Sequence, residues 1–128
     1  MIEKYIKNIN GENYVAILYS SEFGLGWSTY YEINELAYDK RIIEWLFKKG
    51  LLKNKKDDIS SSLIVGIDDE VEEELSSIIE SFEYVNTSIT YIPMGLSVAW
   101  IKEGSLIYIS NYNGLERIIK DKKSFIQL

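Results

Sequence analysis

The spacing of apolar residues predicts two main helices. Between residues 39 and 49, apolar side chains fall on one helical face, Asp39 suits an N-cap, and Gly50 suits the left-handed position after a helix. A second apolar stripe runs through residues 69–82 at helical spacing, and there Asp69 with Glu72 resembles a capping box. We therefore expect helices at about 39–49 and 69–82.

Short apolar runs and alternating segments predict a mainly antiparallel sheet of about five or six strands. Candidate strand segments lie at residues 4–9, 14–20, 63–67, 88–92, 96–101, 105–112 and 115–119. Asn-Gly pairs at residues 10–11 and 113–114 favour hairpins, because a type I′ turn needs positive φ at both central positions. The last four segments are expected to form a consecutive meander. The fold class predicted is α+β, in a single domain covering residues 1–128.

Composition narrows the chemistry. The chain has no cysteine and no histidine, which excludes disulfides, thiolate nucleophiles, Cys/His zinc sites and histidine-based triads. We therefore predict a protein that is not an enzyme and has no catalytic residue, metal site or cofactor. The alternative left open is a carboxylate enzyme that uses Glu32, Glu35 and Asp39.

Charge and hydropathy restrict the partners. The net charge is −6 and the sequence pI about 4.7, so the surface is expected to repel nucleic acid and anionic lipid. The apolar runs are too short to span a bilayer, and the first ten residues show no apolar secretory signal. We expect a cytoplasmic protein that does not contact nucleic acid or membrane directly. Its expected partner is a protein that has a basic groove.

The stretch SEFGLGWST, residues 21–29, follows the predicted strand at 14–20. Glycine-rich backbone after a strand can hold phosphate, but this stretch has no P-loop lysine and Glu22 would repel an anion. One interpretation is a bend whose Phe23 and Trp27 pack on the sheet, and another is partner contact through those two residues. The third is a small-ligand pocket formed by Gly24, Gly26, Trp27, Ser28, Thr29 and Tyr30.

The second helix begins with a run of acids that contains no lysine: Asp68, Asp69, Glu70, Glu72, Glu73 and Glu74. Such a block is usually a solvated helix face. The sharper hypothesis is that these carboxylates bind a basic groove that normally holds nucleic acid. A metal site here is disfavoured, because oxygen ligands must converge from several directions.

Two segments together resemble small phage and prophage proteins of uncharacterised activity. The shared positions are Gly24, Gly26, Trp27, Ser28 and Thr29, then Tyr38, Asp39, Ile42, Ile43 and Glu44, and finally Trp100, Gly104, Asn113, Gly114 and Glu116. The resemblance covers roughly half of the chain, and Asn113 stands where aspartate is usual. It implies a phage or mobile-element protein that acts in the cytoplasm of a bacterial host.

These observations lead to one hypothesis and two alternatives. Small acidic phage proteins without catalytic residues are often inhibitors of host defence, including anti-CRISPR proteins, so we expect an inhibitor that binds a host nuclease or CRISPR effector. Its expected contacts are the acidic run and the loop with Phe23 and Trp27. The first alternative is a module that binds or sequesters a nucleotide signal through the glycine loop. The second is a structural or assembly subunit.

Overall fold

The computed structural model describes residues 2–53, 58–120 and 126–128, and confirms the α+β prediction. The strands are β1 (Ile6–Ile9), β2 (Glu12–Ser20), β3 (Ser62–Leu63), β4 (Leu96–Lys102), β5 (Leu106–Tyr112), β6 (Leu115–Lys120) and β7 (Ile126–Gln127). The helices are α1 (Ser28–Tyr31), α2 (Lys40–Lys48) and α3 (Asp69–Glu80), with a 3₁₀ helix at Asn34–Ala37. Among the described residues, no helix is long and apolar enough to cross a membrane.

The strands form two antiparallel sheets rather than one. The four-stranded sheet has the order β1-β2-β4-β3, and the three-stranded sheet has the order β6-β5-β7. The predicted meander is therefore wrong, because β4 pairs with β2 and β3 while β5 belongs to the other sheet. Five consecutive residues of β4, Leu96–Trp100, are buried, which suits a strand enclosed between two neighbours. The predicted strand at 88–92 is also absent, although Ile89 and Ile92 are buried in the core.

Strand β2 lies between two apolar clusters because both of its faces are covered. Ala16 and Leu18 join the larger cluster, which contains the apolar faces of α2 and α3. Val15 and Ile17 point the other way, into a cluster with residues of the three-stranded sheet such as Ile107. Side chains alternate across a strand, so this uninterrupted apolar run is what a strand buried on both faces requires.

Local signals place the ends of the long helices. The Asp39 carboxylate accepts a hydrogen bond from the Arg41 backbone N–H at 2.9 Å, which confirms the predicted cap of α2. Gly50, two residues beyond α2, has the expected positive φ of 73°. The N-cap of α3 differs from the prediction by one residue: Asp68 is the cap, accepting from Val71 N–H at 2.9 Å, and Asp69 is the first helical residue. The helix ends at Glu80 rather than at residue 82.

Both predicted Asn-Gly hairpin turns are confirmed. Asn10 and Asn113 have φ of 51° and 50°, and the glycines that follow, Gly11 and Gly114, each have φ of 83°. The first turn joins β1 to β2 and the second joins β5 to β6. The second turn also brings the start of β6 against the glycine loop, where the candidate site begins.

Candidate functional site

The side chain of Trp27 is an internal anchor of the glycine loop. It is fully buried, and its indole Nε1–H donates to the carbonyl oxygen of Leu36 at 2.9 Å. Its ring also meets that of Tyr31 edge-on, with centroids 5.8 Å apart. The prediction that Trp27 contacts a partner is therefore corrected, because this indole faces the core rather than solvent.

A buried carboxylate organises the same loop from the other end of the chain. Glu116, in β6, is 1% exposed. One carboxylate oxygen accepts the Ser20 N–H at 2.7 Å. The other accepts the N–H groups of Trp27 and Thr29 at 2.9 and 3.1 Å, and the Thr29 hydroxyl at 2.5 Å. Within the described residues Glu116 forms no ion pair, so these four donors hold its charge.

The loop therefore does bind an anion, but the anion belongs to the protein. Successive backbone N–H groups of a turn can form a concave anion-binding nest, and Glu116 fills this one. The alternative of a small-ligand pocket formed by Gly24, Gly26, Trp27, Ser28, Thr29 and Tyr30 is corrected accordingly, because the side chain of Trp27 is buried as well. Ser28 is buried, and the N–H and O–H of Thr29 already bind Glu116.

Further contacts fix this arrangement, which we call the Glu116 cluster (Glu116, Ser20, Trp27, Thr29 and Asn111). The Asn111 amide donates to the Leu25 carbonyl at 3.2 Å and to the Thr29 hydroxyl at 2.7 Å. A Cβ atom on Gly26 would lie 2.5 Å from the Asn111 amide nitrogen and 2.8 Å from the Thr29 hydroxyl oxygen, so a side chain there would displace both groups. Every described polar side-chain atom that is buried has a hydrogen-bond partner. The cluster is thus fully satisfied and rigidly packed.

Two side chains on the outer side of the loop, Phe23 and Leu25, are exposed and can contact a partner. Phe23 is 69% exposed and Leu25 is also exposed, whereas the side chain of Trp27 is buried in the core. The Gly24 N–H donates to the Asn113 carbonyl at 2.9 Å, which holds the loop on the β5–β6 turn. Phe23 therefore keeps its predicted place as a candidate partner contact, now on a loop that is ordered before any partner binds.

The segment 91–95 joins this loop to the acidic side of the molecule. The Ser21 N–H donates to the Gly95 carbonyl at 2.7 Å, and the Leu25 N–H donates to the Tyr91 hydroxyl at 3.3 Å. A Cβ atom on Gly95 would lie 2.6 Å from the Cβ of Glu22. Loop and segment are thus in direct contact along their length.

On its other side the same segment lines a groove of about 230 Å³. The groove is bordered by Leu63, Ile64, Val65, Gly66, Ile67, Glu72, Ile92, Pro93 and Met94. None of these described residues is basic. Met94 is 93% exposed, and Leu63 and Val65 are also exposed, so apolar side chains stand in solvent beside the Glu72 carboxylate.

The six predicted acids divide into two groups. Asp68 caps α3, and Glu74 forms an ion pair with Lys49 at 2.8 Å and accepts from the Trp45 indole N–H at 3.3 Å. The hydrogen bond from Lys49 lowers the pKa of the Glu74 carboxyl. The side chains of the other four bind none of the described residues: Asp69, Glu70, Glu72 and Glu73. These four remain the candidate contacts.

Asp39 was considered for catalysis together with Glu32 and Glu35, but its carboxylate is fully engaged in hydrogen bonds. Both oxygens of Asp39 are engaged: Oδ1 accepts from Arg41 Nε at 3.1 Å, and Oδ2 accepts from Arg41 Nη2 and the Tyr84 hydroxyl, each at 2.8 Å. The hydrogen bond to Asp39 raises the pKa of the Arg41 guanidinium. Burial, followed by the bond to Asp39, raises the pKa of the Tyr84 hydroxyl. Asp39 thus ties α2 to the segment after α3.

The role of Glu116 was missed by reasoning from the residues, since an acid between Leu115 and Arg117 reads as a solvent-facing strand residue. Two sequence features could have indicated this role. The glycine-rich stretch 21–29 contains no lysine or arginine that could bind an anion, and an acid, Glu116, follows a distant Asn-Gly turn.

Among the described residues, no group of three or more His, Cys, Asp or Glu side chains is placed to hold a metal ion. Comparisons with protein-family models, curated proteins and solved structures found no match.

Proposed function

We propose that this protein is a phage-encoded, non-enzymatic inhibitor of a host defence factor, a nuclease or CRISPR effector, in the bacterial cytoplasm. It binds that factor through one surface, which we call the acidic–apolar face: Phe23, Leu25, Leu63, Val65, Met94, Asp69, Glu70, Glu72 and Glu73. The observation that carries the proposal is the direct link between the Phe23 loop and the groove that contains Glu72. Segment 91–95 contacts the Phe23 loop on one side and lines the groove with Glu72 on the other.

The exposed apolar side chains and carboxylates of this face complement a basic groove that binds nucleic acid. Exposed apolar anchors supply binding energy when a partner pocket desolvates them, and interfaces concentrate that energy in a few aromatic and large side chains. The carboxylates attract a basic groove and set the orientation of docking. An inhibitor of this kind occupies the groove and excludes the nucleic acid. The chain's net charge of −6 also attracts the protein toward a basic groove.

The rigidity of the Phe23 loop also supports the proposal. Ordering a flexible loop on binding costs free energy that is lost from the affinity. Here the Glu116 cluster and the bond from Gly24 N–H to the Asn113 carbonyl order the loop in the free protein. Phe23 and Leu25 are therefore presented without that cost.

Neutralising the carboxylates tests the electrostatic part of the proposal. The triple variant Asp69→Asn, Glu70→Gln, Glu73→Gln removes three charges from the face. We expect its association rate constant with the host defence factor to fall about tenfold to a hundredfold at low salt. The measurement is surface plasmon resonance at several ionic strengths, and the difference should shrink near 0.5 M salt, where screening is strong.

The matched control carries the same net charge. Glu3, Glu12 and Glu103 lie outside the acidic–apolar face and are exposed, so Glu3→Gln, Glu12→Gln, Glu103→Gln should associate like the parent protein. In cells with an active CRISPR or restriction system, expression of the parent and the control should raise phage plaquing, and the face variant should not. Equal association rates for the two triple variants at low salt would contradict the proposed face. No rise in plaquing with the parent protein in any defence system would contradict the proposed function.

A further inference from the structure

A second concave surface includes Tyr30 and Tyr31, which follow Trp27 closely in the chain. It is a shallow groove of about 570 Å³ between the end of α1 and the loop after α3. Its lining is Tyr30, Tyr31, Glu32, Ile33, Asn86, Thr87, Ser88 and Thr90. One wall is thus aromatic and the other consists of small, uncharged polar side chains.

The aromatic wall is built outward from the core. The rings of Trp27 and Tyr31 meet at 5.8 Å, those of Tyr31 and Tyr30 at 4.8 Å, and those of Tyr30 and Tyr91 at 5.5 Å, all edge-to-face. The Tyr31 hydroxyl donates to the Tyr91 carbonyl at 2.6 Å and accepts from the Tyr91 N–H at 2.8 Å. Burial raises the pKa of this hydroxyl. Tyr30 is therefore held between the rings of Tyr31 and Tyr91, while 43% of the residue stays exposed.

The polar wall keeps its hydrogen-bonding capacity free. Asn86, Thr87 and Ser88 are exposed, and their side chains bond to none of the described residues. Together they offer two hydroxyls and an amide, each able both to donate and to accept. Three adjacent groups of this kind opposite a fixed aromatic ring suit a ligand that has a flat apolar face and several hydroxyls at its edge.

The charges in the groove disfavour anionic ligands. Glu32 is the charged residue in the groove, and none of its described lining residues is basic, so phosphate and carboxylate ligands have no counter-charge. We propose that this groove binds an uncharged sugar ring, stacked on Tyr30 and hydrogen-bonded by Asn86, Thr87 and Ser88. Such a ring can come from a glycan or from a nucleoside. The proposal does not depend on the proposed inhibitor function, since it uses a different surface.

The test is a titration of the ¹⁵N-labelled protein with methyl glycosides, neutral trisaccharides, and the nucleosides uridine and adenosine, followed by NMR. At least one of these probes should shift the amide signals of residues 30–33 and 86–90 in a saturable manner. Glycosides and nucleosides in separate arms identify the source of the sugar ring. The proposal is overturned if none of these probes produces saturable shifts.

Two variants and one control make the assignment specific. Tyr30→Ala should weaken the binding about tenfold, which corresponds to about 1.4 kcal/mol. Thr87→Val removes one hydroxyl from an exposed position, so it should weaken binding without affecting the fold. Tyr112→Ala alters another exposed tyrosine, outside the groove, and should leave the affinity unchanged. Affinity that survives both groove substitutions overturns the proposal.

Discussion

Replacing Glu116 with glutamine is expected to lower the free energy of unfolding by about 3 kcal/mol. The substitution removes the charge that four donors share and turns an amide N–H₂ toward at least one of them. Hydrogen bonds to charged groups are worth about 1.5–3 kcal/mol, and a buried donor without a partner costs about 1–3 kcal/mol. Urea denaturation followed by tryptophan fluorescence measures the loss, since Trp27 reports directly on the loop.

A rescue experiment separates the anion site from general damage. Glu116→Ala should be destabilised further than Glu116→Gln, and formate should raise its melting temperature more than chloride does at equal ionic strength, because formate binds the vacated donors. The control is Glu103→Gln, an exposed carboxylate that among the described residues bonds only to the Asn13 amide, which should change stability by less than about 0.5 kcal/mol. A Glu116→Gln variant as stable as this control would contradict the role assigned to the Glu116 cluster.

Replacing Gly114 with alanine is expected to lower the free energy of unfolding by about 4 kcal/mol, from backbone strain and steric overlap together, or to prevent folding. A Cβ atom there would lie 2.6 Å from the backbone nitrogen of Gly24 and nearer still to its carbonyl group. Because both partners are backbone, no side chain can turn aside, and the glycine loop must move off the β5–β6 turn. That movement breaks the bond from Gly24 N–H to the Asn113 carbonyl. Circular dichroism and urea titration measure the effect.

The first hairpin provides a matched control for this experiment. Gly11 has the same φ of 83° and follows an asparagine in the same kind of turn, but a Cβ atom there meets nothing within 4 Å. Gly11→Ala therefore measures the backbone strain alone, about 1–2 kcal/mol for a left-handed residue. The difference between the two variants is the cost of separating the turn from the loop. Equal losses would show that the close approach to Gly24 contributes nothing.

The elements that depend on neighbouring residues could be predicted from the sequence. The caps and apolar stripes of α2 and α3, and the two Asn-Gly turns, involve residues within a few positions of each other. Even so, Asp68 rather than Asp69 caps α3, because a run of acids offers several equivalent caps one residue apart. Such boundaries are decided by packing that the pattern does not contain.

The pairing of strands could not be predicted in the same way. β4 pairs with β2 and not with β5, although only three residues separate β4 from β5. A short turn such as 103–105 fits either a hairpin or a passage to another sheet. Glu116 shows the same limit at the candidate site: its surroundings are built by residues near position 27, and nothing in β6 itself indicates that its side chain is buried.

The sequence separation within the Glu116 cluster has a consequence for protein synthesis. Trp27 and Glu116 are 89 residues apart, and a ribosome that adds about 5–20 residues per second needs roughly 5 to 20 seconds to cover that distance. During that interval the nascent chain carries an exposed tryptophan and a strand, β2, that can pair with β1 but whose second partner, β4, has not been made or has only just emerged. We therefore expect the glycine loop to stay disordered until late in translation, and the nascent chain to depend on chaperones before it can bind any target.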